Sequence, residues 1–210
     1  MRYRPISPSS LVTELTARID ALDQRRIAVA VDGADTAAGT AELADALAGP
    51  LRLLGRPAVR VPARGFLRPA SLRFEHGRQN PDARYSDWLD LGGLRREVLD
   101  PLAGGGTGEV LPALWDPGRD RATRLPRVPV PERGVVLVDG EFLLGAGLAF
   151  DLVVHLWLSP PALRRRVPEE SAWALPAYAR YEEEVGPGTL ADVVVRVDDP
   201  RHPAVYEPGA

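Results

Sequence analysis

Four stretches of this chain are apolar without alternation: IAVAV at 27–31, VVLV at 135–138, LVVHLWL at 152–158 and VVVRV at 193–197. A strand with one face in water alternates apolar and polar residues, whereas a continuous apolar run is stable only when both faces are covered. Segments of helical pattern separate these runs. They predict an α/β fold with a parallel sheet of five strands, the fifth being the short AVRV at 58–61, and helices on both faces. A helix is expected over 9–24, where Ser9 or Ser10 can cap it and Leu11, Leu15, Ile19 and Leu22 share one face. A second is expected over 41–54, kinked at Pro50 and ended by Gly55. The whole chain, 1–210, is expected to be a single domain.

In a parallel sheet, ligands bind beyond the carboxyl ends of the strands. The first such end is the most informative. Strand 27–31 runs through Asp32 into Gly33, Ala34, Asp35, Thr36, Ala37, Ala38, Gly39, Thr40 and Ala41, and then into the helical ELADAL. Strand, small-residue loop and helix in this order are the layout of a phosphate-binding loop, whose N–H groups turn inward around the anion below the positive end of a helix dipole. The full pattern is G-x-x-x-x-G-K-[ST]. Counted from Gly33, Ala38 falls on the second glycine, Gly39 on the lysine and Thr40 on the hydroxyl residue. With one residue inserted, Gly39 is the second glycine, Thr40 replaces the lysine and Ala41 the hydroxyl residue. The lysine is absent in either register, and the sequence alone also permits an ordinary Gly/Ala-rich strand-to-helix turn.

The chain contains no lysine anywhere, all 26 basic residues being arginine, so a substitution driven by composition would have placed arginine in the loop. A formal charge of −3 leaves no basic excess for a nucleic-acid partner. With no cysteine, disulfides and thiolate chemistry are excluded. No stretch approaches the length of a membrane span or a signal peptide, and a cytoplasmic location is expected. The glycine run at 104–106 lacks a preceding strand and a following helix, and reads as a hairpin turn.

Taken in order, VAVDG at 29–33 with ADAL at 44–47, GRPAVRV at 55–61, Phe66 to Pro69, YSDWLD at 85–90, LDPLAGGG at 99–106, VVLVDGEFLL at 135–144 and DLVVHLWL at 151–158 resemble the uridine kinase family of P-loop kinases, in its actinomycete form. The resemblance implies an ATP site at 33–41 with Mg²⁺, a nucleoside or nucleotide site above the second strand over the excursion 62–134, and an arginine-bearing lid over 160–185. It implies phosphoryl transfer from ATP to a nucleoside hydroxyl, a reaction that rests on positioning and charge neutralisation.

The departures fall on the chemistry. Where the family carries two consecutive aspartates before the phenylalanine, this chain has Arg64 and Gly65. Loss of one charge-stabilising group commonly costs about 10²–10³ in rate, so absence of the lysine and both acids implies impaired transfer or, alternatively, a non-catalytic pseudokinase that binds a nucleotide or phosphate ester. Arg64 reads both as a substitute phosphate ligand and as a solvated arginine; Asp139 and Glu141 read both as substitute acids and as turn residues. Asp35 matches the family pattern. Phe66 and Trp88 are expected beside the substrate, Arg164 and Arg165 in the lid. His155, inside an apolar strand, reads as a satisfied core histidine. No metal-binding cluster is legible.

Overall fold

The computed structural model describes residues 2–207. In chain order its main elements are β1 (Arg2–Pro5), α1 (Pro8–Asp20), β2 (Ile27–Gly33), α2 (Thr40–Leu53), β3 (Ala58–Pro62), α3 (Pro81–Ser86), β4 (Val135–Gly140), β5 (Leu152–Trp157), α4 (Pro160–Arg166), α5 (Leu175–Glu184), β6 (Val193–Arg196) and β7 (Ala204–Glu207). The sheet has seven strands in the order β1-β7-β6-β5-β2-β4-β3, not the five expected. The five continuous or short apolar runs form its parallel body. β7 pairs antiparallel with both β6 and β1. β1 and β7 carry no continuous apolar run because they form one margin of the sheet, and so they escape the pattern that marks the buried strands.

β2 shows why the run is unbroken. Ile27, Val29 and Val31 pack on one face with Leu11, Leu15 and Ile19 of α1 and Leu43, Leu47 and Leu51 of α2. Ala28 and Ala30 pack on the other face with Val136, Val138, Phe66, Leu94 and Tyr181. Every residue of β2 is buried. Leu47 is among the fully buried side chains, and truncating it to alanine would cost roughly 2–5 kcal/mol.

The cap of α1 is Ser7, whose Oγ accepts from the Ser10 N–H at 3.0 Å. It displaces the expected Ser9 or Ser10 because Pro8, with its fixed φ and no N–H, fits the first helical position. At the other end α1 stops at Asp20. There the buried Arg56 donates to the Asp20 carboxylate at 2.6 Å and to the Asp20 and Leu22 carbonyls at 2.7 and 2.9 Å. A guanidinium on the last carbonyls of a helix satisfies orphan acceptors and opposes the dipole.

Candidate functional site

The carboxyl ends of β2, β4 and β5 are joined by one carboxylate. Asp32 is fully buried. Its Oδ1 accepts from the Leu143 N–H at 3.0 Å, and its Oδ2 contacts His155 Nδ1 at 2.7 Å and Tyr181 Oη at 3.1 Å. The Leu144 N–H donates to Tyr181 Oη at 3.0 Å, which leaves the tyrosine hydroxyl hydrogen for Asp32. Burial and the neighbouring Asp32 push the Tyr181 phenol well above its ordinary pKa. This acid holds β2, β5, α5 and the segment after β4 together.

Beyond it the loop closes on itself. Asp35–Ala38 forms a single helical turn, and the N–H groups of Ala37 and Ala38 donate to the Ala34 carbonyl at 3.0 and 2.7 Å. Gly39 then takes a left-handed conformation, φ +82°, from which α2 starts. Ala37 and Ala38 are buried, and Thr40 is fully buried with a hydroxyl that has no partner among the described residues. The side chain of Thr36, expected in the loop site, lies outside the described residues.

A cavity of about 320 Å³ opens beside this loop over the ends of β3 and β4, with Asp35, Arg64, Arg84, Trp88, Glu141 and Phe142 in its wall. Glu141 is bound by Arg84 at 2.8 Å and accepts from the Tyr178 hydroxyl at 2.5 Å. Burial pushes the Glu141 carboxyl above its usual range, against the pull of Arg84 and Tyr178. The Arg84 guanidinium lies 5.2 Å from the Trp88 ring and 5.6 Å from that of Trp173, and its buried Nε has no partner among the described residues. Asp35 is also raised, by burial first, with Arg64 opposing and Asp139 adding to the rise. Arg64 itself is exposed, in the tight turn Ala63–Phe66 after β3.

No family model matches the sequence, and no curated protein matches it. Solved structures do. A possible uridine kinase from Bacillus stearothermophilus superposes with a TM-score of 0.72 at 20% identity, covering 89% of this chain and 97% of that one. A candidate fructose transport system kinase from Silicibacter sp. gives a TM-score of 0.65 at 24% identity, over 86% and 95% of the two chains. The chain shares the α/β fold of these two structures. The 320 Å³ cavity lies at the side of the loop 33–41.

The residues of the loop 33–41 do not suit a magnesium triphosphate. Two loop N–H groups are spent on the Ala34 carbonyl, the lysine position is glycine in one register and threonine in the other, and the Thr40 hydroxyl is sealed in the protein. Among the described residues no group of three or more His, Asp or Glu is placed to hold a metal. Asp139, weighed as a substitute acid, is 3% exposed and held by both nitrogens of the Arg60 fork, at 2.7 and 2.8 Å. A carboxylate so engaged has a structural role. Glu141 does reach the cavity, but as the partner of Arg84. Phe66, expected beside a substrate, is a fully buried core residue and is absent from the cavity wall. Trp88 lines the cavity, its Nε1 donating to the Arg73 carbonyl at 2.9 Å. Arg165 and Arg166 reach the carbonyls of Asp198 and Val197, while Arg164 lines a separate apolar cavity.

Arg60, Arg84 and Tyr178 were not singled out in the sequence. A signal existed for Arg84: Asn80 followed by Pro81 is a helix start, and Asn80 Oδ1 accepts from the Ala83 N–H at 3.0 Å, opening the α3 helix that carries it. Among the described residues no helix is long and apolar enough to cross a membrane.

Proposed function

We propose that this chain uses a nucleoside-kinase-like fold to bind a nucleoside-type small molecule, a nucleoside monophosphate above all, in the cavity over β3 and β4, without phosphoryl transfer from ATP. The observation that carries this reading is the Ala34 carbonyl, which takes the Ala37 and Ala38 N–H groups that a triphosphate would need. The neighbouring cavity keeps a full set of recognition chemistry. Trp88 and Phe142 offer apolar walls to a ring, Asp35 and Glu141 offer acceptors to hydroxyl groups, and exposed Arg64 offers a guanidinium to a phosphate.

The test is a calorimetric titration with uridine, uridine 5′-monophosphate and ATP, with and without Mg²⁺, followed by a phosphoryl-transfer assay. Binding of the monophosphate, weaker binding of the nucleoside and no uptake of ATP at millimolar concentration are expected. ATP-dependent phosphorylation of a nucleoside would overturn the reading. One observation favours that second reading: Asp35, with its carboxyl raised by burial at the cavity wall, is placed as a proton acceptor for a substrate hydroxyl.

A further inference from the structure

The Asp32–His155 pair is left unused by the proposed function. His155 is 5% exposed, and its Nδ1 lies 2.7 Å from Asp32 Oδ2. Its other ring nitrogen, Nε2, has no partner among the described residues. The side chain stands in the wall of a second cavity, of about 220 Å³, between the end of β5 and helices α4 and α5. Leu156, Leu158, Leu163, Leu175, Phe142 and Tyr178 form an apolar part of that wall, and Glu141, Arg164 and Glu182 also stand in it.

The hydrogen-bond network assigns the ring's proton. Oδ1 of Asp32 takes the Leu143 N–H, and Oδ2 takes the Tyr181 hydroxyl, whose oxygen is already accepting from the Leu144 N–H. A carboxylate is an acceptor only, so Nδ1 of His155 must donate to it. A neutral imidazole so bonded carries no hydrogen on Nε2, which is then an acceptor on the side away from Asp32. An acceptor that opens onto a largely apolar cavity is satisfied by a molecule that brings a donor to it.

We infer that this cavity is a binding site for a neutral, flat, one- or two-ring compound whose hydroxyl or N–H group donates to His155 Nε2. The site is distinct from the cavity over β3 and β4: Phe142, held at φ +59°, stands between them and lines both. The inference does not depend on the function proposed above.

The probe is 2-naphthol, compared with 2-methoxynaphthalene, which has the same rings and no donor. Binding is followed in histidine-¹⁵N-labelled protein by the side-chain nitrogen signals, with His155 one of three histidines. The free protein is expected to show His155 protonated at Nδ1, 2-naphthol to shift its Nε2 signal, and the methoxy compound to bind at least about tenfold more weakly for want of the hydrogen bond. His155→Phe should level the two affinities. Because that change strands Asp32, Leu163→Trp serves as the companion variant, filling the cavity away from the dyad and abolishing binding of both probes. Arg64→Ala should leave 2-naphthol binding unchanged, which separates this site from the other. Protonation at Nε2 in the free protein, equal affinity for the two probes, retention of binding in Leu163→Trp, or no binding of 2-naphthol up to millimolar concentration would each overturn the inference.

Discussion

The end of β2 and the ends of β3 and β4 lie side by side on one sheet, yet they treat their polar groups in opposite ways. At the end of β2 the polar groups are turned inward: Asp32 has three partners, Ala34 holds two N–H groups of its own loop, and the Thr40 hydroxyl is sealed away. Over β3 and β4 Arg64 is exposed, Asp35 is half-buried, and Glu141 is held at the cavity wall with its charge balanced by Arg84. Satisfied groups fix a structure, and unsatisfied or exposed ones are available to a ligand. On the proposed function, the Asp32 network supports the sheet and the cavity over β3 and β4 receives the nucleoside-type ligand.

The largest test of the contrast is Asp32→Ala. Removing an acid that three elements share should cost about 3–5 kcal/mol in urea unfolding, and a loss below about 1 kcal/mol would break the supporting role. Asp139→Ala comes next, at roughly 2–4 kcal/mol, because it leaves the Arg60 guanidinium without its two-point partner. A stable Asp139→Ala protein that loses ligand binding instead would move Asp139 to the recognising side. Arg64→Ala should leave stability alone and weaken uridine 5′-monophosphate binding by about tenfold, with uridine little affected, since only the phosphate meets that guanidinium. Gly39→Lys restores the lysine in one register but places a side chain at φ +82°, costing about 1 kcal/mol. No ATP binding should appear in calorimetry, because the N–H groups remain engaged.

The smallest effect is a slope. Burial raises the Asp35 carboxyl above its ordinary 3.8, so the folded chain holds more protons than the unfolded chain between that value and the raised one. Stability should therefore fall as pH rises through this weakly acidic window, and the loss should persist at neutral pH. Asp35→Asn should make the urea midpoint flatter across the window, and an unchanged profile would show that Asp35 carries no such cost.

The parallel body of the sheet was legible because burial on both faces leaves IAVAV, VVLV and LVVHLWL without alternation. The strands at its antiparallel margin, RYRP and AVYE, have no such signature, being short and paired largely with each other. The same limit applies to the site. The missing lysine and acids are visible as letters, and Arg64 follows a recognisable strand end and lines the cavity with Asp35. What an arginine or carboxylate pairs with is set by residues far away in the chain. Arg60 meets Asp139 across 79 positions, and Arg84 meets Glu141 across 57. Nothing local to 139 distinguishes a free acid from a clamped one. Phe66 had the reverse problem: a family position suggested contact with a ligand, and the packing of the sheet's second face claimed it for the core.

The anchoring of Tyr181 also bears on how a ligand gets in. Swinging α5 outward would strip Asp32 of its tyrosine and leave the Leu144 amide without its acceptor, so α5 acts as a fixed post and not as a door. That post lines the 220 Å³ cavity; the cavity over β3 and β4 is bordered instead by Pro117 and Gly118, at the tip of an exposed hairpin of two-residue strands, Trp115–Asp116 and Arg121–Ala122. Amide hydrogens at Leu143 and Leu144 should exchange with solvent only in global unfolding, while those of the hairpin exchange within the native state.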